Sequence, residues 1–83
     1  MGHQMKSNDI IVWEHYTKLT AQYSIMQIRE IIGSKIWGVL FNLTAGGWQR
    51  DKCDYINDWE HMRMADEKEM NLFNQLRQDL RFL

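Results

Sequence analysis

Three side chains that could bind a metal ion, Asp54, Asp58 and His61, lie close together in the chain. In a helix, their i, i+4 and i+7 spacing would place them on one face. Asp58-x-x-His61 imitates the Glu-x-x-His motif of carboxylate-bridged metal sites in helical bundles. Such sites need two of these motifs and further carboxylates, whereas this chain has one motif, with Asp in place of Glu. The sequence therefore favours a solvated charged face, and we expect no metal ion and no cofactor.

Other groups that could do chemistry are isolated. Glu14 and His15 could add metal ligands from another helix, but adjacent helical residues diverge in direction. Met1-Gly2-His3 would bind copper or nickel only if Met1 is retained, and methionine before glycine is usually removed. Cys53 is the only cysteine, and no histidine is placed by spacing to act as its base. We therefore expect a protein that is not an enzyme.

Anion binding is the alternative function that the sequence leaves open. Gly46-Gly47 lacks the glycine spacing and the lysine of a phosphate-binding loop. A pocket between subunits of a helical bundle could still hold a small nucleotide-like anion, with an aromatic ring stacked on it. The residues assigned to this alternative site are Tyr16, Lys18, Lys35 and Arg50. The formal net charge is −1 and the basic residues share no helical face, so we expect no nucleic-acid partner.

The aromatic and methionine content favours a protein partner. Four tryptophans and six methionines exceed what a small two-layer core needs, although a bulky core is their commoner use. Both residue types are enriched at the centres of protein interfaces. The predicted function is therefore a small regulator, adaptor or inhibitor that binds a larger protein. The predicted partner-binding residues are Trp13, Trp48, Trp59, Arg63 and Lys68.

The first two elements that would position these residues are predicted to be helices. One apolar face repeats at intervals of 4, 3, 4 and 3 residues, which predicts a helix over about 8–32. Its members are Val12, Tyr16, Leu19, Tyr23 and Met26. Gly33-Ser34 can end this helix and cap the next. Segment 35–44 is apolar nearly all round and would also suit a strand. A short buried helix is preferred because no second strand is expected to pair with it.

The C-terminal run is the longest predicted element. Residues 48–83 contain no glycine or proline, which predicts a helix over about 49–82. At ~1.5 Å per residue this helix would be roughly 50 Å long, against a span of roughly 30 Å for a compact domain of this size. Asp66–Glu69 is interpreted as its solvated middle, with a kink there as the alternative. The excess length predicts a homodimer that associates through Phe73, Leu76, Leu80 and Leu83.

The predicted fold is all-α: a helical hairpin with a short buried middle helix and a long C-terminal helix, oligomeric. Residues 1–6 are predicted to be a mobile tail and 7–83 a single helical domain. No signal pattern is present, and the longest uncharged run, Ile36–Gln49, is too short to span a bilayer, so we expect a cytoplasmic protein without a membrane partner. The size, the lack of proline and the lack of a catalytic set resemble the small accessory proteins of bacteriophages and mobile elements. This resemblance is to a class, without a family motif.

Overall fold

Five antiparallel β-strands followed by one α-helix make up the computed structural model, which describes residues 5–80, with the backbone alone for 52–55. The strands are β1 (Ile10–Tyr16), β2 (Ala21–Ile32), β3 (Lys35–Thr44), β4 (Gly47–Ile56) and β5 (Met62–Met64). A 3₁₀ turn (Trp59–His61) precedes β5, and α1 spans Glu67–Asp79. The strand order is β4-β3-β2-β1-β5, so β1 to β4 form a meander and β5 returns to pair with β1.

The all-α prediction is wrong. Predicted helix 8–32 contains β1 and β2, and predicted helix 35–44 is β3. Predicted helix 49–82 contains all but the first two residues of β4, together with the 3₁₀ turn, β5 and α1. The preference for a helix over 35–44 assumed that a strand there would have no partner. In fact β3 pairs with β2 on one side and with β4 on the other. The helix that was too long for its domain is therefore replaced by four shorter elements.

The incorrect prediction of one helix over 8–32 arises at the β1–β2 turn, which contains neither glycine nor proline. β1 and β2 are joined through Thr17 and Thr20, where the Thr17 amide donates to the Thr20 carbonyl at 2.8 Å. The Thr17 hydroxyl oxygen accepts from the amides of Leu19, at 3.2 Å, and Thr20, at 2.9 Å. A threonine side chain can stabilise a tight turn in this way. The apolar spacing of the two strands therefore continues across the turn and imitates one helical face.

Glycines in and beside β3 mark two places where the backbone requires them. Gly33 has a φ of +61° in the two-residue turn from β2 to β3. Glycine at the first turn position is typical of a β-hairpin, but a positive φ also suits a helix C-terminus, so the sequence alone was ambiguous. A Cβ atom on Gly38 would lie 2.0 Å from the carbonyl oxygen of Gln27 on β2. The two strands can approach this closely only because residue 38 has no side chain.

The apolar core lies on both faces of the sheet. The helix side contains Val12, Ile25 and Phe41 with Phe73 and Leu76 of α1. On the far side the buried residues are Ile11, Met26, Ile28, Ile36, Leu40 and Met62, bordered by Met5, Trp13, Ile31, Ile56 and Trp59. Successive residues of a strand point to opposite faces, and so adjacent residues of β1 enter different layers.

Helix α1 begins within the segment that was interpreted as the middle of a longer helix. The Asp66 side chain accepts from the Glu69 amide at 2.8 Å, and the Glu69 side chain accepts from the Asp66 amide at 2.9 Å. This reciprocal pair is a capping box, which satisfies free amides at a helix N-terminus. α1 has 13 residues. Within residues 5–80, no helix has both the length and the apolar character needed to cross a membrane.

Candidate functional site

Two polar clusters lie on opposite faces of the sheet, next to adjacent residues of β1. Glu14 faces the helix side, where it joins an ion-pair cluster. His15 faces the far side, as Trp13 does two residues earlier, and joins a histidine cluster. The alternation of a β-strand therefore separates two neighbouring titratable residues into two environments.

Arg63 is the centre of the ion-pair cluster. It donates to Glu14 Oε1 from Nε at 3.1 Å and Nη2 at 2.8 Å, and to the two Glu69 oxygens from Nη1 and Nη2, each at 2.8 Å. The Tyr23 hydroxyl donates to Glu69 at 2.9 Å, and the Tyr16 hydroxyl donates to Glu14 at 2.8 Å. The cluster therefore connects β1, β2 and β5 with the first turn of α1.

The charges in this cluster stabilise one another. Hydrogen bonding to Arg63 lowers the pKa of Glu69 to about 2 and also lowers the pKa of Glu14. Burial, with a contribution from Glu69, raises the pKa of Tyr23 to about 12. Near neutral pH the cluster thus contains one cation, two anions and neutral tyrosines, and none of these groups is close to titrating. Such an arrangement suits a structural role better than acid–base chemistry.

The histidine cluster consists of His15, Asp58 and His61. Asp58 Oδ1 lies 2.7 Å from His61 Nδ1, and Asp58 Oδ2 accepts from the Trp13 indole N–H at 2.9 Å. The His15 and His61 rings are stacked, with centroids 3.8 Å apart and planes 15° apart. One possible ligand atom from each of the three residues lies within 4.8 Å of the others. Two imidazoles and a carboxylate therefore converge at one place on the far side of the sheet.

Backbone structure fixes these three side chains. His15 belongs to β1, whereas Asp58 directly precedes the 3₁₀ turn and His61 is its last residue. The His61 amide donates to the Asp58 carbonyl at 3.1 Å. The His61 contact, followed by the Trp13 contact, lowers the pKa of Asp58 and favours its charged form. Beside His61 there is an open pocket of about 220 Å³. It is lined by Glu14, Glu60, His61, Met62 and Arg63.

Sequence reasoning found part of this cluster. It grouped Asp58 and His61 with Asp54, whose side chain lies outside the described residues, as does that of Cys53. It set His15 aside because Glu14 and His15 would diverge on a helix. They diverge on the strand as well, but this directs His15 towards Asp58. The alternation of Trp13 and His15 on one face would have indicated this, had the segment been assigned as a strand.

Most of the predicted partner-binding residues have contacts within the chain. The Trp13 indole donates to Asp58, the Trp59 indole donates to the Ser34 carbonyl, and Arg63 is held by two glutamates. The Trp48 ring lies against Tyr23, with centroids 5.7 Å apart. Lys68 is exposed in the first turn of α1. The indoles of Trp13 and Trp59 thus help to hold the 3₁₀ segment on the far side of the sheet.

An exposed apolar surface is present at one end of the sheet, where the β1–β2 and β3–β4 turns lie together. We call Tyr16, Leu19, Leu43 and Trp48 the hairpin-end patch. Tyr16 is 61% exposed, Leu19 93% and Leu43 46%, and Trp48 is half-buried. Leu43 is paired with Trp48 across β3 and β4. Three strands and a turn therefore contribute apolar side chains to one end of the molecule.

The residues of the alternative anion site are spread over the sheet. Tyr16 and Lys18 lie at the β1–β2 turn, whereas Lys35 begins β3 at the opposite end of the sheet. Arg50 is paired with Phe41 in the middle of β4. β3 is ten residues long, so about 30 Å separates its two ends. Within one chain, these four side chains do not form a single anion site.

The predicted self-association residues pack within their own chain. Phe73 and Leu76 are buried against the sheet, and the Phe73 ring meets Phe41 with centroids 5.2 Å apart. Leu80 packs against the same cluster, and Leu83 lies outside the described residues. Their assignment rested on a helix too long for its domain, and the fold removes that argument. The homodimer itself stays a prediction.

Comparisons with known proteins add no relative. No protein-family model matches the chain, and neither a curated protein nor a solved structure is detectably similar to it.

Proposed function

We propose that this protein is a small non-enzymatic interaction module that acts as a regulator, adaptor or inhibitor by binding a larger protein. The observation that carries the proposal is the hairpin-end patch. Single exposed apolar residues are common on protein surfaces, but several at one end of a sheet, two of them cross-strand partners, are typical of an interaction site. We place this activity in the cytoplasm, as expected for a chain with a single cysteine.

The composition of the patch suits a protein partner. Tyrosine and tryptophan are enriched at interface centres because each provides a large contact area with few rotatable bonds. The Trp48 ring already rests on Tyr23, so binding would cost little additional side-chain ordering. Lys18 and Thr44 are exposed beside the patch and provide a polar rim. The complementary surface is therefore an apolar one that carries an acidic group opposite Lys18.

A photo-crosslinking amino acid at Leu19 tests this proposal. Among the described residues, Leu19 is the most exposed large apolar side chain and is outside the core, so the replacement should not affect folding. The control carries the same crosslinker at Gln75, which is exposed on α1. We expect a protein adduct from position 19 that position 75 does not give. The crosslinked protein is then purified and its affinity is measured directly.

Variants of the patch then decide whether the captured protein is a true partner. Leu43→Asp should weaken binding of the purified partner by about tenfold or more, since a hot-spot residue is worth over 1 kcal/mol. Asn74→Asp, at an exposed position of α1 outside the patch, adds the same single negative charge and should leave the affinity unchanged. Equal affinity of the partner for both variants would overturn the proposal. An adduct with a second copy alone would replace the larger partner with a homodimer, and light scattering would check the mass.

A further inference from the structure

The histidine cluster contains the donor atoms of a transition-metal site. Two imidazole nitrogens and one carboxylate oxygen are ligands that Zn²⁺, Ni²⁺, Co²⁺ and Cu²⁺ all accept. Ca²⁺ and Mg²⁺ prefer sites made of oxygen atoms alone. The chemistry of His15, Asp58 and His61 therefore selects a first-row divalent ion.

The distances between these donors are close to those of a bound ion. Ligand atoms around tetrahedral Zn²⁺ are separated by about 3.3 Å. Asp58 Oδ1 and His61 Nδ1 lie 2.7 Å apart, so they would have to separate by roughly half an ångström. All three possible ligand atoms lie within 4.8 Å of one another, so a contraction of about 1.5 Å at most is required. Side-chain rotation of this size leaves β1 and the 3₁₀ turn in place.

The stacked rings set the direction of that rotation. A metal ion lies near the plane of each imidazole that binds it, along the lone pair of the nitrogen. His15 and His61 are only 15° from parallel, so one ion can bind both only if the rings open away from each other. Ion binding should therefore replace the stack with a splayed pair, which is a structural change that can be observed.

Trp13 provides the outer support that such a ligand set needs. Its indole N–H holds Asp58 Oδ2 at 2.9 Å and so leaves Oδ1 facing His61. Hydrogen bonds of this kind orient metal ligands, and their loss typically weakens metal affinity about 10- to 100-fold. The histidine cluster thus has one possible ligand from β1 and two from the 3₁₀ turn and the residue before it, and its carboxylate is held in place.

We infer that His15, Asp58 and His61 form a binding site for one divalent first-row transition-metal ion, with three protein ligands and the remaining positions open to water or another ligand. This site lies outside the hairpin-end patch and does not depend on the proposed partner. A bound ion would connect β1 to the 3₁₀ turn. Its ligands His15 and Asp58 are 43 residues apart in the sequence.

Calorimetric titration of the full chain with ZnCl₂ tests the inference. All proteins carry His3→Ala, so that the N-terminal histidine cannot supply a second site. We expect one ion per chain, and a loss of at least about tenfold in affinity for each of His15→Ala, His61→Ala and Asp58→Asn. The matched control is Glu60→Gln, which removes a carboxylate beside His61 that is not part of the cluster.

Two further measurements separate lost ligands from lost folding. Circular dichroism without metal should show the same sheet content for each variant as for the parent. Nitrogen NMR of the parent should show that both the His15 and the His61 ring signals move on addition of Zn²⁺. Thermal melting followed by circular dichroism should also give a higher Tm with Zn²⁺ than without it. Unchanged zinc affinity in His15→Ala/His61→Ala, or ring signals that stay in place, would overturn the inference. In that case the cluster is only a local hydrogen-bonded pair, Asp58 and His61, with a stacked histidine.

Discussion

The two polar clusters beside β1 differ in how completely their members are satisfied. On the helix side, the Arg63 guanidinium makes five hydrogen bonds, four to carboxylates and one to the Met64 carbonyl, and its five N–H groups are the full donor capacity of an arginine. On the far side, Asp58 is held by His61 and Trp13, while His15 contributes a ring stack. The first arrangement is suited to stabilising the fold, and the second retains donor atoms that can bind an ion.

Removing the buried ring of Phe73, which covers the helix side of the sheet, should have the largest effect on stability. Phe73 is fully buried against Phe41, so Phe73→Ala should lower the free energy of unfolding by about 3–5 kcal/mol through the cavity it leaves. Urea denaturation measures this loss, with Phe73→Leu as the milder control. A loss below about 1 kcal/mol would contradict the assignment of α1 as the cover of this face.

Removing the Arg63 cation from the ion-pair cluster should cause the next largest loss of stability. Arg63→Met leaves Glu14 and Glu69 without their shared partner and should cost about 2–3 kcal/mol, below the value for a fully buried pair because Arg63 is half-exposed. Arg77→Met, at an exposed position of α1, should change stability by less than about 0.5 kcal/mol. Adding Glu69→Gln to Arg63→Met should recover part of the loss. If the double variant is less stable than Arg63→Met, the cluster is not held together by charge.

Acid should weaken the helix side through Glu69. The pKa of Glu69 is lowered from 4.5 to about 2 in the folded chain, so the unfolded chain binds more protons between these values. The stabilisation is therefore complete above pH 4.5 and is lost as the pH falls towards about 2, with a cost on the order of 2 kcal/mol. Urea midpoints across this range measure the slope. Glu69→Gln should flatten it, whereas an equal slope in that variant would assign the effect to other carboxylates.

The smallest expected effect on stability comes from a change at the histidine cluster, on the far side of the sheet. Trp13→Phe keeps the ring in the apolar border but removes the donor to Asp58, which should cost about 1 kcal/mol of stability. If the metal inference is correct, the same change should weaken Zn²⁺ binding about tenfold or more. Calorimetry and urea denaturation of one protein sample give both values. A zinc affinity equal to that of the parent would mean that Trp13 does not position the carboxylate.

The sequence located several element boundaries but not the element types. The apolar nature of 35–44 and the break at Gly33-Ser34 were recognised, and this break is a hairpin turn. Asp66-x-x-Glu69 matches the capping-box pattern and could have ended the long predicted helix, since it marks an N-terminus. The pattern from Val12 to Met26 could not be resolved in this way, because the Thr17 turn carries no glycine or proline.

The complete histidine cluster could not be predicted from residue spacing, because it depends on which strands pair. Asp58 and His61 are local neighbours and were grouped from the sequence. His15 reaches them only because β5 pairs with β1, bringing Met62 opposite Trp13 and the 3₁₀ turn beside the end of that strand. The hairpin-end patch likewise needs two turns to lie at one end of a meander. Local periodicity has no information about either arrangement.

Glu69 serves two structures at once, and this has a consequence for how the chain opens. Its Oε1 accepts both the Asp66 amide of the helix cap and the Arg63 guanidinium of β5. An isolated helix of 13 residues is marginal in water, so α1 depends on this shared carboxylate and on its contacts with the sheet. Fraying of α1 and detachment of β5 should therefore occur as one event. In hydrogen exchange, the amides of both elements would then be protected to the same extent, as a single cooperative unit.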